Sequence, residues 1–284
     1  MNNTLNINRL GKVIKRDGST YIQNMGWTLV ILFAIPLVLW LIRSITISDV
    51  PQEALSRITL INLLKIGALI IVPVRLYKDY NDSRKGISYA MLPASSLEKF
   101  ISMVFYCIIV TPIIYTAGAI VVDTILAAIP GKNPYEGFAI TELFNKFTAV
   151  DKFMIDNNLN INDQPVKDTI TYISQISPVW FFVQRILNVI MVASIFMFGN
   201  MIFKKRKTQK MIGIIILLSI ICLVIFIRII ISNEEFFNQL NEENIKQFVI
   251  KFIDYCIYGG LIISIIISTV MLWGTYHKIR IQKY

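Results

Sequence analysis

The residues of this chain with chemistry to offer are charges set in apolar surroundings. Lys65, Asp123, Arg185 and Asp254 each interrupt a long hydrophobic run. At ~1.5 Å of helical rise per residue, the first three would lie roughly 10 Å inside one membrane boundary, with Asp254 slightly shallower. Charges at such depth are costly, face the interior of a bundle and commonly pair. We therefore expect Asp123 to pair with Arg185 or Lys65, at the outer gate of a translocation path. The alternative is that the cations snorkel to the interface and Asp123 marks a shorter span. Asp123 and Asp254 would also suit an intramembrane aspartyl protease, but neither sits in a recognisable motif.

Other chemistries find no residues. The one histidine, His277, flanks Trp273 and Tyr276 near a span end, so a histidine metal site or a Ser-His-Asp triad is not expected. No Gly-x-Ser-x-Gly elbow is present. Gly11-Lys12 and Gly131-Lys132 lack the earlier glycine of a phosphate loop, so the chain is not expected to hydrolyse ATP by itself or to hold a metal or cofactor. Cys107, Cys222 and Cys256 fall within apolar runs, without disulfide or zinc spacing.

The elements that must position these charges are membrane spans. Of 284 residues, 55% are hydrophobic and 16% charged, and mean hydropathy is +0.61. A soluble domain carries about 25% charged residues. A spanning helix needs about 20 mostly apolar residues. Six runs qualify or nearly so, at about 27–42, 58–74, 100–129, 179–203, 211–231 and 248–276; the first is short and holds Pro36. The fold class is therefore all-α, a polytopic membrane protein forming one transmembrane domain over 1–284. Ahead of the first span, Leu5 to Arg16 reads as an amphipathic helix. Ile7, Leu10, Val13 and Ile14 share one face, opposite a basic face with Arg9, Lys12 and Arg16, Lys15 adding to the charge. Such a helix is expected to lie in the headgroup plane, the alternative being a disordered basic tail.

Charge orients the spans. The N-terminal segment, the 75–99 and 204–210 loops and the C-terminus hold seventeen of the 28 Lys and Arg but four acids, Asp17, Asp79, Asp82 and Glu98. Basic segments stay in the cytoplasm, which places both termini inside. These short basic loops suit anionic lipid headgroups rather than nucleic acid. Outside lies a long loop, 130–177, with helical spacing over Ile140–Val150, and an acidic segment over 233–246 with Phe236, Phe237 and Leu240 at helical spacing. Inside, Ser95 and Glu98 have capping-box spacing, and Pro93 separates the following helix from 84–92. That arrangement leaves Tyr89, Met91 and Leu92 exposed to the cytoplasm or to a partner.

Three stretches carry a family resemblance: Asn8-Arg9-Leu10-Gly11-Lys12, Met91-Leu92-Pro93-Ala94-Ser95-Ser96-Leu97-Glu98-Lys99-Phe100, and Phe198-Gly199-Asn200-Met201-Ile202-Phe203-Lys204-Lys205. With the six-span order, the chain resembles the permease subunit of a type-2 ATP-binding-cassette exporter of the kind common in Bacteroidetes. The resemblance implies a bacterial inner-membrane protein that pairs with a second permease chain, identical or sister. It also implies a separate cytosolic ATPase partner, which carries the ATP and Mg. A coupling helix at 84–92 would seat on that ATPase, with Arg84, Lys85, Tyr89, Met91, Leu92, Pro93, Glu98 and Lys99 as the contact region. Leu5–Arg16 would be the family's elbow helix. The cargo stays open among lipid, peptide, drug and glycan, because the 130–177 loop departs from the family pattern. A second reading is a non-transporting sensor or immunity protein that binds an extracellular ligand through that loop. A secondary transporter is disfavoured, since the halves show no repeat and no broken helices.

Overall fold

The computed structural model describes residues 5–46, 51–78, 91–130, 133–144, 178–203, 206–232 and 242–281. Asn6 opens the first helix, its side chain accepting from the backbone N–H groups of Asn8 and Arg9. Helix α1 then runs unbroken over Ile7–Ile45. At 39 residues it is ~58 Å long, nearly twice the ~30 Å hydrocarbon core. Its buried positions Val13, Asp17, Tyr21, Met25, Thr28, Leu32 and Pro36 step by three or four residues and form one continuous stripe.

That stripe corrects the expectation of a separate surface helix over 5–16 ahead of a span at 27–42. The apolar face begun at Val13 continues at helical spacing through Tyr21 and Met25, so the two segments are one rod. Gly18 does not break it. The glycine lies against the Tyr106 hydroxyl, where a Cβ would collide, and so lets α1 approach its neighbour closely. Ile7, on the expected apolar face, is 78% exposed.

Helix α2 spans Ala54–Leu76. Helix α3 spans Ser96–Ala127 and starts at the expected capping box: the Ser95 hydroxyl takes the Glu98 N–H, and the Glu98 carboxylate takes the Ser95 N–H. Within α3, Phe105–Val110 widens to a π-helix. Pro112, just beyond, has no N–H to give the Ile108 carbonyl, and its ring would press on that carbonyl. One extra residue in the turn relieves the clash, and Thr111 closes it with N–H and hydroxyl contacts to the Tyr106 carbonyl. The short α4 covers Ala139–Phe144, the described part of the helical stretch expected over 140–150; residues 145–177 lie outside the described residues. Helices α5 (Pro178–Ile202), α6 (Lys207–Ser232) and α7 (Glu242–Ile281) complete the fold. The acidic stretch expected over 233–246 is, from Glu242 onward, the first turns of α7.

Successive long helices alternate in direction, giving the bundle two ends. The start of α1, the end of α2, the start of α3, the α5–α6 turn and the end of α7 form the basic end. Two clusters make the core. Nearer the basic end, Tyr21 and Met25 (α1), Val72 and Leu76 (α2), Met103, Tyr106 and Cys107 (α3), Met197 and Met201 (α5) and Ile279 (α7) interlock. Nearer the other end, Leu32, Ile58, Ile61, Ala68, Tyr115, Ala119 and Ala139 draw only on α1 to α4. Five helices thus meet at the basic end, and the described core of the opposite end belongs to the first four. Helix α6 turns Ile212, Ile216, Leu217, Ile220, Leu223 and Val224 outward. So much exposed apolar surface is stable against lipid or another apolar face, not against water.

Candidate functional site

Two sets of buried polar contacts sit where the helices must be held in register. At the basic end the first centres on Asp17, 1% exposed in the stripe of α1. Its Oδ2 accepts from the Ser102 hydroxyl at 2.7 Å and from the Tyr77 hydroxyl at 3.3 Å, and its Oδ1 accepts from Arg16 at 2.8 Å. One carboxylate therefore joins α1, α3 and the residue just past α2. Tyr106 donates to the Ile14 carbonyl at 2.8 Å beside it.

The last carbonyls of α2 are held from the other side. Asn200, 1% exposed at the end of α5, donates its amide to the Pro73 and Tyr77 carbonyls at 3.0 and 3.2 Å. Lys207, opening α6, donates to the Asn200 side-chain amide oxygen at 2.8 Å and to the Lys78 backbone carbonyl at 3.0 Å. A cation at a helix C-terminus complements the macrodipole, so Lys207 caps α2 in charge as well as in hydrogen bonds. Arg206, just ahead of α6, has φ +50°, and Gly199 near the end of α5 lets Met211 of α6 lie close, since a Cβ there would strike it.

The far side of the 79–90 segment is fixed in the same manner. Besides capping α3, Glu98 accepts from the Asn6 N–H at 2.9 Å and pairs with Arg9 at 3.2 Å. The chain on both sides of 79–90 is thereby tied to α1, and on the α2 side also to α5 and α6.

The expected contact region divides accordingly. Arg84, Lys85 and Tyr89 lie outside the described residues. Met91 is 77% exposed, Pro93 is exposed and Leu92 is half-buried. Glu98 and Lys99 are buried, which corrects their expected place in a partner surface. Glu98 is turned inward because capping-box geometry aims it back at the Ser95 N–H. Of the expected membrane-surface cations, Lys12 and Lys15 are exposed, while Arg9 and Arg16 are half-buried and turned to Glu98 and Asp17.

The second set lies at the opposite end, around an ion pair expected with other partners. Arg57, 2% exposed in the first turn of α2, donates to Asp123 at 3.0 Å. Its other amino group donates to the Glu136 and Gly137 carbonyls at 2.8 and 2.6 Å, and its guanidinium lies 4.3 Å from the Tyr135 ring centre. The second Asp123 oxygen accepts from the Ala139 N–H at 3.1 Å. Gly137 bends the chain here at φ +64°, a conformation that favours glycine. Asn133 donates to the closing carbonyls of α3 at Leu126, Ala127 and Ile129, and accepts from the Trp40 indole of α1 at 3.2 Å. Gln52 pairs with the backbone on either side of Tyr135. Burial first, then the Asp123 charge, pushes the Tyr135 phenol up to about 12, against the lowering pull of Arg57 and Arg43.

Asp123 therefore pairs with Arg57 rather than with Lys65 or Arg185. Antiparallel α2 and α3 put the first turn of α2 beside the last turns of α3, whereas Lys65 sits eight residues, or ~12 Å, further along. Lys65 is half-buried and donates to Asn62 at 2.8 Å. Arg185 is exposed and Asp254 half-buried. Both oxygens of Asp123 are engaged, so it offers no free carboxylate to a protease dyad. Among the described residues no three His, Cys, Asp or Glu side chains gather to hold a metal ion.

Arg57 and Asp17 were signalled in the sequence by position rather than by motif. Each stands where an apolar residue belongs on a helical stripe, Arg57 four before Ile61 and Asp17 four after Val13. With six helices long and apolar enough to cross a bilayer, this is a multi-pass α-helical membrane protein. Comparison with protein-family models, curated proteins and solved structures gave no match.

Proposed function

We propose that this chain is the permease subunit of an ATP-driven exporter in a bacterial inner membrane, with its basic end in the cytoplasm. A separate ATPase, binding ATP and Mg, would dock on the 79–93 region of this chain and of a second permease chain. The observation that carries the reading is the anchoring of that region. Asp17, Asn200, Lys207 and Glu98 hold its two flanks by buried polar contacts to α1, α3, α5 and α6. A push on the segment would reach those helices together rather than dissipate in a tether. The basic charge at that end supports the orientation. The cargo would be a lipid, peptide, drug or glycan.

The test is co-purification of the chain with a nucleotide-binding subunit, followed by ATP hydrolysis in nanodiscs. Asn200→Leu should lower permease-dependent stimulation of hydrolysis while the complex still assembles. A chain isolated from its native membrane with no nucleotide-binding subunit, and transport-inactive with ATP, would overturn the proposal. One observation favours the sensor reading: 133–144, the described start of the outer loop, is wired by Arg57, Asp123 and Asn133 into three helices. That reading requires a ligand for the loop and an inner segment that tolerates substitution.

A further inference from the structure

Lys65 lies outside both polar sets. Helix α2 turns inward a stripe that includes Arg57, Ile61, Ala68, Leu69 and Val72. Lys65 occupies the middle of that stripe, four residues after Ile61 and four before Leu69, ~16 Å from the start of the helix. Its ammonium has three N–H groups, and the acceptor it meets is the Asn62 amide on its own helix. Arg9, Arg16 and Arg57 each pair with an acid, and Lys65 meets none among the described residues.

The charge nearest in effect is of the same sign: Arg185 acts on Lys65 across the contact between α2 and α5. Like charges in a medium of low dielectric repel strongly, so an anion beside Lys65 would be favoured there. Further polar capacity lies close in the fold. Tyr115, clustered with Ile61 and Ala68, has a buried hydroxyl with no hydrogen-bond partner among the described residues. The flanks are apolar and outward-facing, with Leu63 and Ile66 beside Lys65 and Phe182 and Ile186 beside Arg185. A free ion would have to leave water to reach this depth; an amphiphile brings its own apolar tail.

We propose that the α2–α5 seam at Lys65 and Arg185 binds the oxyanion headgroup, phosphate or carboxylate, of an amphiphile whose tail lies along the neighbouring apolar surface. As a cargo site this rests on the exporter reading; as a binding site it stands without it.

The test is binding to the purified full chain in detergent, with no ATPase present. The probes are phosphatidylglycerol, oleate, phosphatidylcholine and inorganic phosphate. Saturable binding of phosphatidylglycerol or oleate, at least about tenfold tighter than phosphatidylcholine, is expected. Lys65→Met should weaken it by about tenfold to a hundredfold, the effect of losing one charge-assisted contact, and Lys65→Arg should retain most of it. Which anionic probe binds tighter assigns the headgroup. Lys65→Met replaces a costly charge by an apolar chain of similar length, so it should fold and melt no lower than wild type without lipid. Arg185→Gln supplies a second reading on the other helix. Binding unchanged in both Lys65→Met and Arg185→Gln, equal binding of phosphatidylcholine, or tight binding of inorganic phosphate alone would overturn the proposal. Because no ATPase enters the assay, these results are independent of whether the chain proves to be an exporter.

Discussion

Replacing Arg57 by Met should unlatch the 133–144 segment from the bundle, and the cost follows from what the guanidinium touches. Arg57 and Asp123 are both nearly fully enclosed, at 2% and 4% side-chain exposure and 3.0 Å apart. Removing one partner of such a pair costs about 3–5 kcal/mol, because the other charge is stranded. The Glu136 and Gly137 carbonyls also lose their donor, but lying in a surface segment they regain water once it loosens. We therefore expect Arg57→Met to destabilise by about 3–5 kcal/mol.

Asp123→Leu alone should cost a similar amount by stranding Arg57. The double variant should cost clearly less than the sum, since no charge remains buried; the expected coupling is about 1.5–3 kcal/mol. Equilibrium unfolding in mixed micelles measures all three. Limited proteolysis reports the latch directly, with cleavage in 133–144 rising in Arg57→Met ahead of global unfolding. Lys65→Met and Arg185→Met serve as controls that leave the latch intact. A single-variant cost within about 0.5 kcal/mol, as for a surface pair, or costs that add within the same margin, would refute the reasoning.

Further outcomes follow from other positions. Asp17→Leu strands two hydroxyls and Arg16 at the meeting of α1, α2 and α3 and should cost about 3 kcal/mol or more. Asp17→Asn keeps an acceptor and should cost about half as much, both read by thermal unfolding in detergent. Gly199→Ala drives a methyl group into Met211 and should destabilise by about 1–3 kcal/mol, with partial rescue by Met211→Ala. Tyr135 should titrate near pH 12 in the difference between wild-type and Tyr135→Phe absorbance at alkaline pH. Its raised pKa makes folding bind the proton more tightly. That contribution is complete below pH ~10, the unfolded value, and is lost as pH rises through about 12. A difference spectrum centred near pH 10 would mean the ring is not enclosed.

How far the sequence carried depended on whether a feature is local. The capping box at Ser95 and Glu98 was readable because both partners lie within one turn. The long apolar runs were readable because crossing a bilayer demands length and composition alone. The Arg57–Asp123 pair was not, because it depends on where α2 begins. The helix starts at Ala54, ahead of the apolar run at Ile58, so a residue that looks like a flanking charge is already inside the bundle. The unbroken α1 was hidden for a related reason. Composition changes near Trp27, but the buried stripe does not, and packing against Ser102, Tyr106 and Thr111 decides that the helix continues.

In both cases a charge at a stripe position was the available signal. The same signal singles out Lys65, and the three charges now separate by environment. Asp17 and Arg57 sit at opposite ends of the bundle, each bound by groups from several elements, and act as fasteners. Lys65 sits mid-span on the inward stripe, where the structure supplies one amide from its own turn and a like charge from α5. A fastener at that depth would bring its counter-charge from within the chain, as the other two do. A site that must take up and release an anion needs the counter-charge to come from outside, which is why Lys65, rather than the better-connected Asp123, is where a ligand should be sought.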